Sequence, residues 1–453
     1  MVGTLLQGDQ QPLCSSALTT SMRNSAHVAR LYPTDAQSAQ LEAQGHTTRA
    51  VWNLLHEWYT WGGHGRGSSR RPCSAEIDRQ LRAARIDPLP GWEWLANLPA
   101  QATQQVLKHY LLAWDRFFEG SARRPRFKRR AYGLAVDVPQ ASQLRIVRLN
   151  RRRGEVTIPL VGRVRFSWSR SLPGNPVACP GRITGARLIR DRLGWHICFR
   201  IRQPVKAGLP PPGPPIGIDR GVVHALVLSD GRNFDTPSLL SPGEKNRLLK
   251  LQRRLGRQRA ARIAGAPITA RELRTYHHIG VLRARQARRR KDWLHKVTTA
   301  LAKNHGMLVV EDLHVSRMTR SARGNVVAPG RNVKAKSGLN RSILAMAWGT
   351  TEQMLRYKAP LYGGVLVSVP ASYSSQTCAD CGQVAADSRK NRDVFRCVAC
   401  GHQAPADANA ARVLLSRGLA TLNGTAPGHG VAGRGAFAVG QAAKRQPTTR
   451  AMA

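Results

Sequence analysis

Three acidic residues and four cysteines carry the chemistry this sequence can offer. Asp219 closes the apolar run Ile216-Gly217-Ile218, and Glu311 closes the run Met307-Leu308-Val309-Val310. Asp407 opens a run that holds Ala410, Ala411, Val413, Leu414 and Leu415. The first two read as strand ends, and the third reads as the acidic first turn of a helix. They stand 92 and 96 residues apart, so only folding can bring them together. Three converging carboxylates repel one another unless a hard cation neutralises them, and Mg²⁺ with oxygen ligands is the usual solution. Two such ions activate a water and stabilise the leaving oxygen at a phosphodiester. Any one of these acids alone reads as a solvated element end; the chemistry depends on all three meeting.

The cysteines make a separate site. Cys378-x-x-Cys381 and Cys397-x-x-Cys400 are separated by fifteen residues, and each pair is followed by a glycine, Gly382 and Gly401. This is zinc-ribbon spacing, in which two knuckles supply four thiolates to a tetrahedral Zn²⁺. Four thiolates leave no open position, so a zinc held there is structural. His402 stands beside the quartet, and a four-cysteine site does not need it. Cys14, Cys73, Cys179 and Cys198 are scattered, which excludes a secreted disulfide framework and points to a reducing cytosol.

The elements that must position these groups follow from periodicity. Residues 215–232 predict a β-hairpin with an Asp-Gly turn at Asp230-Gly231. Residues 26–32 predict a strand, broken and capped by Pro33-Thr34-Asp35, and 36–59 and 99–118 predict helices. In the second, Val106, Tyr110, Leu111, Trp114, Phe117 and Phe118 share a side and read as core. Strands are expected at 156–159, 164–168, 183–189 and 195–202, forming a small barrel with the first strand. Residues 62–71 read as a loop and 205–215 as a Pro/Gly linker. Residues 316–339 are expected to be a long polar loop next to Glu311, 340–362 a helix, 365–369 a strand, and 419–453 a disordered tail.

Charge identifies the partner. The 453 residues hold 71 Lys and Arg against 26 Asp and Glu, a formal net charge of +45, which predicts a polyanion and first of all nucleic acid. Residues 245–303 hold eighteen Lys or Arg and two acids, Glu272 and Asp292. They read as two helices with an apolar seam and a basic outer face, with Arg253, Arg254, Arg257, Arg289 and Arg290 as candidate phosphate contacts. The basic string 123–130 around Phe127 adds Arg124, Arg126 and Lys128. No segment has the apolar length of a membrane span, and the N-terminus lacks a signal-peptide core. Residues 1–21 are polar and featureless, so Met22 is a candidate start.

Taken together, these motifs resemble TnpB, the transposon-encoded RNA-guided nuclease family, and the related miniature type V CRISPR effectors. The likeness runs from His27 to Leu415. Its residues are Arg-Leu-Tyr-Pro-Thr at 30–34, Gly45, Val51-Trp52-Asn53, Leu98-Pro99 and Arg-Pro-Arg-Phe-Lys at 124–128. In the second half they are Gly217-Ile218-Asp219, Val-Val-Glu-Asp-Leu at 309–313, residues 332–343, residues 374–381 and Asp-Ala-Asn-Ala-Ala at 407–411. Arg220 departs from the family's usual apolar residue and Pro405 from its usual acid; neither removes a ligand.

The resemblance implies an α/β multidomain protein. An RNase H-like (RuvC) nuclease domain at 206–372 and 403–418 would carry an inserted zinc ribbon at 373–402. A wedge β-barrel would occupy 26–35 and 131–205, with a helical recognition lobe at 36–130, an N-terminal extension at 1–25 and a tail at 419–453. It implies two catalytic Mg²⁺ on Asp219, Glu311 and Asp407, a structural Zn²⁺, a guide RNA and a target DNA read beside a short motif. Work in a prokaryotic cytosol, at the nucleoid and away from membranes, is expected. A guided binder that does not cut and an unguided transposition nuclease are the alternatives; monomer and dimer remain equally open.

Overall fold

The computed structural model describes residues 21–61, 73–129, 133–173, 181–205, 211–423 and 431–432. The chain divides into two units, Met1–Lys206 and Ala207–Ala453.

In the first unit, β1 (Ser21–Tyr32) ends at Pro33, and a reciprocal cap starts the helix that follows. The Thr34 N–H donates to Gln37 Oε1 (3.1 Å), and the Gln37 N–H donates to Thr34 Oγ1 (3.3 Å). Helix α1 (Asp35–Trp61) is followed by α2 (Ser74–Ile86) and α3 (Ala100–Phe118). The sequence reading missed α2. Its heptapeptide spacing is sparse, with Ile77 and Leu81 as its buried residues, and its cap is an unusual one, the Cys73 sulfur accepting from the Glu76 N–H. Leu41, Val51 and Leu55 pack in one core with Val106, Tyr110 and Trp114; Phe118, expected inside, is exposed.

The strands of this unit are β2 (Leu134–Val138), β3 (Ile146–Arg148), β4 (Arg153–Ile158), β5 (Gly162–Ser167), β6 (Arg182–Asp191) and β7 (Gly194–Val205). They form one antiparallel sheet with β1, in the order β2-β6-β7-β1-β5-β4-β3. The expected loop at 62–71 lies outside the described residues, as do residues 206–210 of the linker and residue 130 at the end of the 123–130 string.

The second unit is built on a mixed sheet. Its strands are β8 (Ile216–Asp219), β9 (Leu226–Leu228) and β10 (Asn233–Phe234), then β11 (Met307–Asp312) after helices α4 (Pro242–Ala260) and α5 (Ala270–Asn304). Helices α6 (Val315–Met318), α7 (Val333–Met346) and α8 (Trp348–Leu361) lead to β12 (Val365–Pro370). A two-stranded excursion, β13 (Val394–Arg396) and β14 (Gln403–Pro405), precedes α9 (Ala406–Leu422) and β15 (Val431–Ala432). The order is β10-β9-β8-β11-β12-β15, with β8, β11 and β12 parallel. Ile216, Ile218, Leu308, Val310 and Leu366 face Val297, Leu301 and Leu355 from the helices on one side.

Three expectations change here. Asp230-Gly231 turns β9 into β10, not β8 into β9; the β8–β9 connection is the longer Arg220–Ala225 stretch. The helix expected at 340–362 starts earlier, at Val333, and breaks at Ala347, whose φ of 57° is left-handed. Its first turns therefore come out of the expected loop, and the residue at the break is an alanine, with Gly349 two positions on. The expected tail begins as helix, since α9 runs to Leu422, and Val431–Ala432 add to the edge of β12; the remaining tail lies outside the described residues. Among the described residues no helix is long and apolar enough to cross a membrane.

Candidate metal centres and their surroundings

Strand register sets the first pair of acids side by side. Val310 of β11 is opposite Ile218 of β8, so the next residues along these parallel strands are Glu311 and Asp219. The Asp219 and Glu311 carboxyls lie close enough that Glu311 raises the Asp219 pKa. Asp407 arrives on α9, which lies against β8. An ideal Cβ on Gly217 would sit 2.0 Å from the Ala411 carbonyl oxygen, so only glycine admits the helix at this approach. Four helical residues rise about 6 Å and two strand residues about 6.6 Å. With Ala411 over Gly217, Asp407 therefore comes over Asp219. An ideal Cβ on Gly221 would lie 3.8 Å from Asp407 Oδ2.

The electrostatics of this corner are those of surplus negative charge. Burial, the Glu311 carboxyl and then Asp407 push the Asp219 carboxyl up to about 9, against a smaller opposing pull from Arg220. Asp219 therefore holds its proton more tightly than an ordinary aspartate. Three carboxylates thus approach one corner of the sheet, with too little cationic charge beside them. That is the chemistry a hard divalent ion satisfies. Glu311 is buried and Asp219 partly so.

Arg220, which departs from the family's usual apolar residue, turns into the interior. Its side chain is fully buried, its Nη1 lies 3.1 Å from Glu352 Oε2 of α8, and its Nη2 donates to the Glu311 backbone carbonyl. The Trp348 indole N–H, at the start of α8, donates to the Gly221 carbonyl at 3.2 Å. The Ala347 break is what turns α8 toward these contacts. Nothing in the spacing of Arg220, Trp348 and Glu352 announces them; a lone arginine in an apolar strand-end setting was the available signal.

The cysteine quartet closes tightly. Cys378, Cys381, Cys397 and Cys400 place their sulfurs within 4.8 Å of one another; among the described residues no other such cluster is drawn that close, and the Asp219, Glu311 and Asp407 oxygens stand further apart as a set. Cys378 and Cys400 are 3.7 Å apart, and Cys381 and Cys397 are 3.6 Å apart. A tetrahedron with Zn–S bonds of about 2.3 Å has edges of about 3.8 Å, so the set fits zinc. Gly382 and Gly401 have φ of 75° and 76°, the left-handed turn each knuckle needs. Backbone N–H groups of Cys400 and Ala399 pull the Cys397 thiol down to about 6, while the neighbouring thiols and burial push Cys400 up to about 12 and Cys381 up, so without a metal the quartet does not ionise together. His402 turns its Nδ1 to Asp380 Oδ2 at 2.8 Å.

Asn409 joins the two centres. Two residues past Asp407 and fully buried, it accepts from the Ala379 N–H (3.0 Å) and donates to the Thr377 carbonyl (2.8 Å). The first knuckle and the first turn of α9 are thereby fixed to one side chain.

The basic residues divide. Arg253, Arg254 and Arg257 are exposed along α4. Arg289 is bound to Glu244, with Nη1 2.5 Å from Oε2, and Arg285 shares that carboxylate; Glu244 also completes the capping box of α4. Arg290 is partly buried, which lowers its pKa. In the first unit, the Lys128 ammonium sits 3.7 Å from the Trp52 ring centroid, and burial lowers its pKa to about 8. Arg124 lies over Trp114, and the Arg126 carbonyl accepts from the Trp52 indole N–H. Arg124 and Arg126 remain exposed.

Comparison with known proteins matches three stretches of the chain to family descriptions. These are a "Helix-turn-helix domain" of OrfB/IS605 type over residues 22–61, a "Probable transposase" over 196–322, and a "Cas12f1-like, TNB domain" over 348–414. Residues 22–61 here are a strand and one long helix. A protein of Escherichia coli (strain K12) named "Putative RNA-guided DNA endonuclease InsQ" is 36% identical over 330 residues, 73% of this chain and 77% of its own length. A "Putative RNA-guided DNA endonuclease" of Streptomyces pristinaespiralis is 29% identical over 86% of this chain and 88% of its own. Among solved structures, the Cas12f1–sgRNA–target DNA complex superposes with a TM-score of 0.50 at 15% identity, covering 84% of this chain and 81% of that one.

Proposed function

This chain belongs to the TnpB family, and from that premise we propose that it is an RNA-guided endonuclease of double-stranded DNA. The observation that supports cutting, beyond binding, is the meeting of Asp219, Glu311 and Asp407 at one end of the β8–β11 pair. The mixed sheet with acids at its parallel strand ends supports an RNase H-like (RuvC) reading of the second unit. The antiparallel sheet and helices α1–α3 of the first unit supply the wedge and recognition lobe of this reading. The work belongs in a prokaryotic cytosol, on nucleoid DNA.

Asp219, Glu311 and Asp407 would hold two Mg²⁺. When bound, these ions supply a water activated for attack and charge stabilisation at the leaving phosphodiester oxygen. The protein's own contribution is placement. Asp219, once ionised, would be one of the oxygen ligands, and burial and its neighbours favour its protonated form when no ion is there. Gly217 lets α9 descend far enough to present Asp407. Arg220, held by Glu352, fixes the Glu311 backbone. The cysteine quartet would hold a structural Zn²⁺, with Asn409 linking that knuckle to the Asp407 helix. Exposed Arg124, Arg126, Arg253, Arg254 and Arg257 would meet the phosphates of guide RNA and target DNA. Guide pairing then supplies sequence choice and the protein senses duplex shape.

The test is cleavage of a target plasmid in Mg²⁺ by the chain purified with its RNA, beside Asp219→Ala. Cutting by the parent, lost in the variant and lost after RNase treatment, supports the reading. Persistent cutting by Asp219→Ala refutes the catalytic assignment, and cutting that survives RNase favours an unguided nuclease.

A further inference from the structure

Tyr373 is an aromatic residue presented to solvent by a backbone that L side chains avoid. Its φ is 58°, in the left-handed region where Cβ crowds the chain and Gly or Asn is the usual occupant. Its side chain is 65% exposed, so the ring gains little from its own fold. Neither packing nor backbone preference accounts for a tyrosine here.

The turn around it is firmly held. The Tyr373 carbonyl accepts from the N–H groups of Gln376 (2.9 Å) and Thr377 (3.0 Å) and from Thr377 Oγ1 (2.7 Å). From α9, Arg417 Nη1 donates to the carbonyls of Pro370 (2.8 Å) and Ser372 (2.9 Å). Strained residues fixed by their surroundings in this way cluster at functional sites. The location agrees. Pro370 of β12 is opposite Asp312 of β11, so Tyr373 leaves the sheet at the end that carries Asp219 and Glu311. The helix that grips its turn carries Asp407. Ligands of open α/β sheets bind beyond the carboxyl ends of the strands.

We propose that Tyr373 is a base-stacking residue. Its ring takes one base of a single nucleic-acid strand and holds that strand while a phosphodiester lies over Asp219, Glu311 and Asp407. This rests on the nuclease reading above. A ring on a fixed turn gives up little conformational freedom on binding. Stacking also accepts any base, because each has a π-face, which suits a cutting site whose sequence choice is made elsewhere.

The experiment uses the full chain with its co-purified RNA and two variants. Asn tolerates the left-handed region, so Tyr373→Asn removes the ring without adding strain; Tyr373→Phe keeps the ring. Steady-state cutting of a fluorescently labelled DNA strand should show KM raised about tenfold in Tyr373→Asn, with kcat changed by less than about threefold. Tyr373→Phe should keep the parent KM. The thermal midpoint of Tyr373→Asn should equal or exceed the parent's. A parent KM in Tyr373→Asn overturns the proposal, and so does an equal loss in both variants. In an Asp219→Ala background, a strand carrying 2-aminopurine should be quenched by the parent ring and by Tyr373→Phe, but not by Tyr373→Asn. That arm needs no cutting, so a failed nuclease reading and a failed stacking role give different results.

Discussion

The buried guanidinium of Arg220 donates to the backbone carbonyl of Glu311, tying the residue after the first acid to the second. The same guanidinium pairs with Glu352, so β8, β11 and α8 share one arginine. Glu352 also pairs with Arg356 at 2.8 Å, so losing Arg220 leaves that carboxylate a partner but strips the Glu311 carbonyl of its donor. Arg220→Met should therefore destabilise the protein by about 1–3 kcal/mol, read by denaturant unfolding. Adding Glu352→Leu should not recover that loss, because the Glu311 carbonyl stays unpaired. Recovery in the double variant would show that the charge left on Glu352, not the lost carbonyl contact, is the cause.

Gly217→Ala should separate stability from assembly of the acids. The added Cβ meets the Ala411 carbonyl at 2.0 Å, and backbone has no rotamer with which to yield. The helix must lift, and Asp407 lifts with it. Plasmid cutting should fall at least about a hundredfold, in line with the cost of an ångström-scale misplacement at a reacting centre. A variant that cuts like the parent would place Asp407 outside the reaction.

The raised Asp219 carboxyl makes stability depend on pH and metal together. The unfolded chain ionises an aspartate near pH 4, whereas the metal-free fold holds this proton up to about 9. The native state thus binds more protons between these values. The contribution is complete below about pH 4 and is lost as pH rises through about 9. Relative to Asp219→Asn, the parent in chelator should lose stability from pH 5 to 9. Mg²⁺ needs the ionised carboxylate, so it should raise the melting temperature more at pH 9 than at pH 6. Parallel melting curves for parent and variant at every pH would contradict the shift.

Zinc should be stoichiometric and structural. Metal analysis should find about one zinc per chain, absent in Cys397→Ser. Asn409→Ala should keep the zinc yet slow cutting, because its two hydrogen bonds hold the first knuckle to α9. If Asn409→Ala cuts at the parent rate, the knuckle and the Asp407 helix are not coupled through that side chain.

Salt should weaken nucleic-acid affinity steeply, and the arginines should not contribute alike. Removing an exposed phosphate contact lowers the salt slope by about 0.7–0.9. Arg253→Ala, Arg254→Ala and Arg257→Ala should each show such a change. Arg289 is already engaged by Glu244, so Arg289→Ala should lower stability more than it lowers the slope. The reverse ordering, by titration at several salt concentrations, would mean the Glu244 pair opens on binding.

Some parts of the site were legible because short-range physics announces them. Apolar runs that end in Asp219 and Glu311 mark buried strands, and Cys-x-x-Cys-Gly needs only a local left-handed turn. Other parts had no local signal. The α2 helix is mostly polar, β2 alternates in burial but carries Ala135 on its outer face where a polar residue would mark the alternation, β3 holds too few residues for periodicity, and Ala347 breaks a helix with a residue that favours helices. The basic face of α4 and α5 read as uniformly free, but one carboxylate, Glu244, takes up two of its arginines.

The sequence by itself determined which groups were available: the acids, the four thiols, the surplus of positive charge and the strands and helix that bear them. Only the tertiary structure decided that β11 pairs beside β8 in the register that sets Glu311 next to Asp219. It also decided that α9 presses on Gly217 closely enough to bring Asp407 over them, and that Arg220 turns inward to Glu352. Those outcomes depend on contacts between residues some ninety or more positions apart, and local propensity cannot encode them; close packing against a glycine and pairing between parallel strands can.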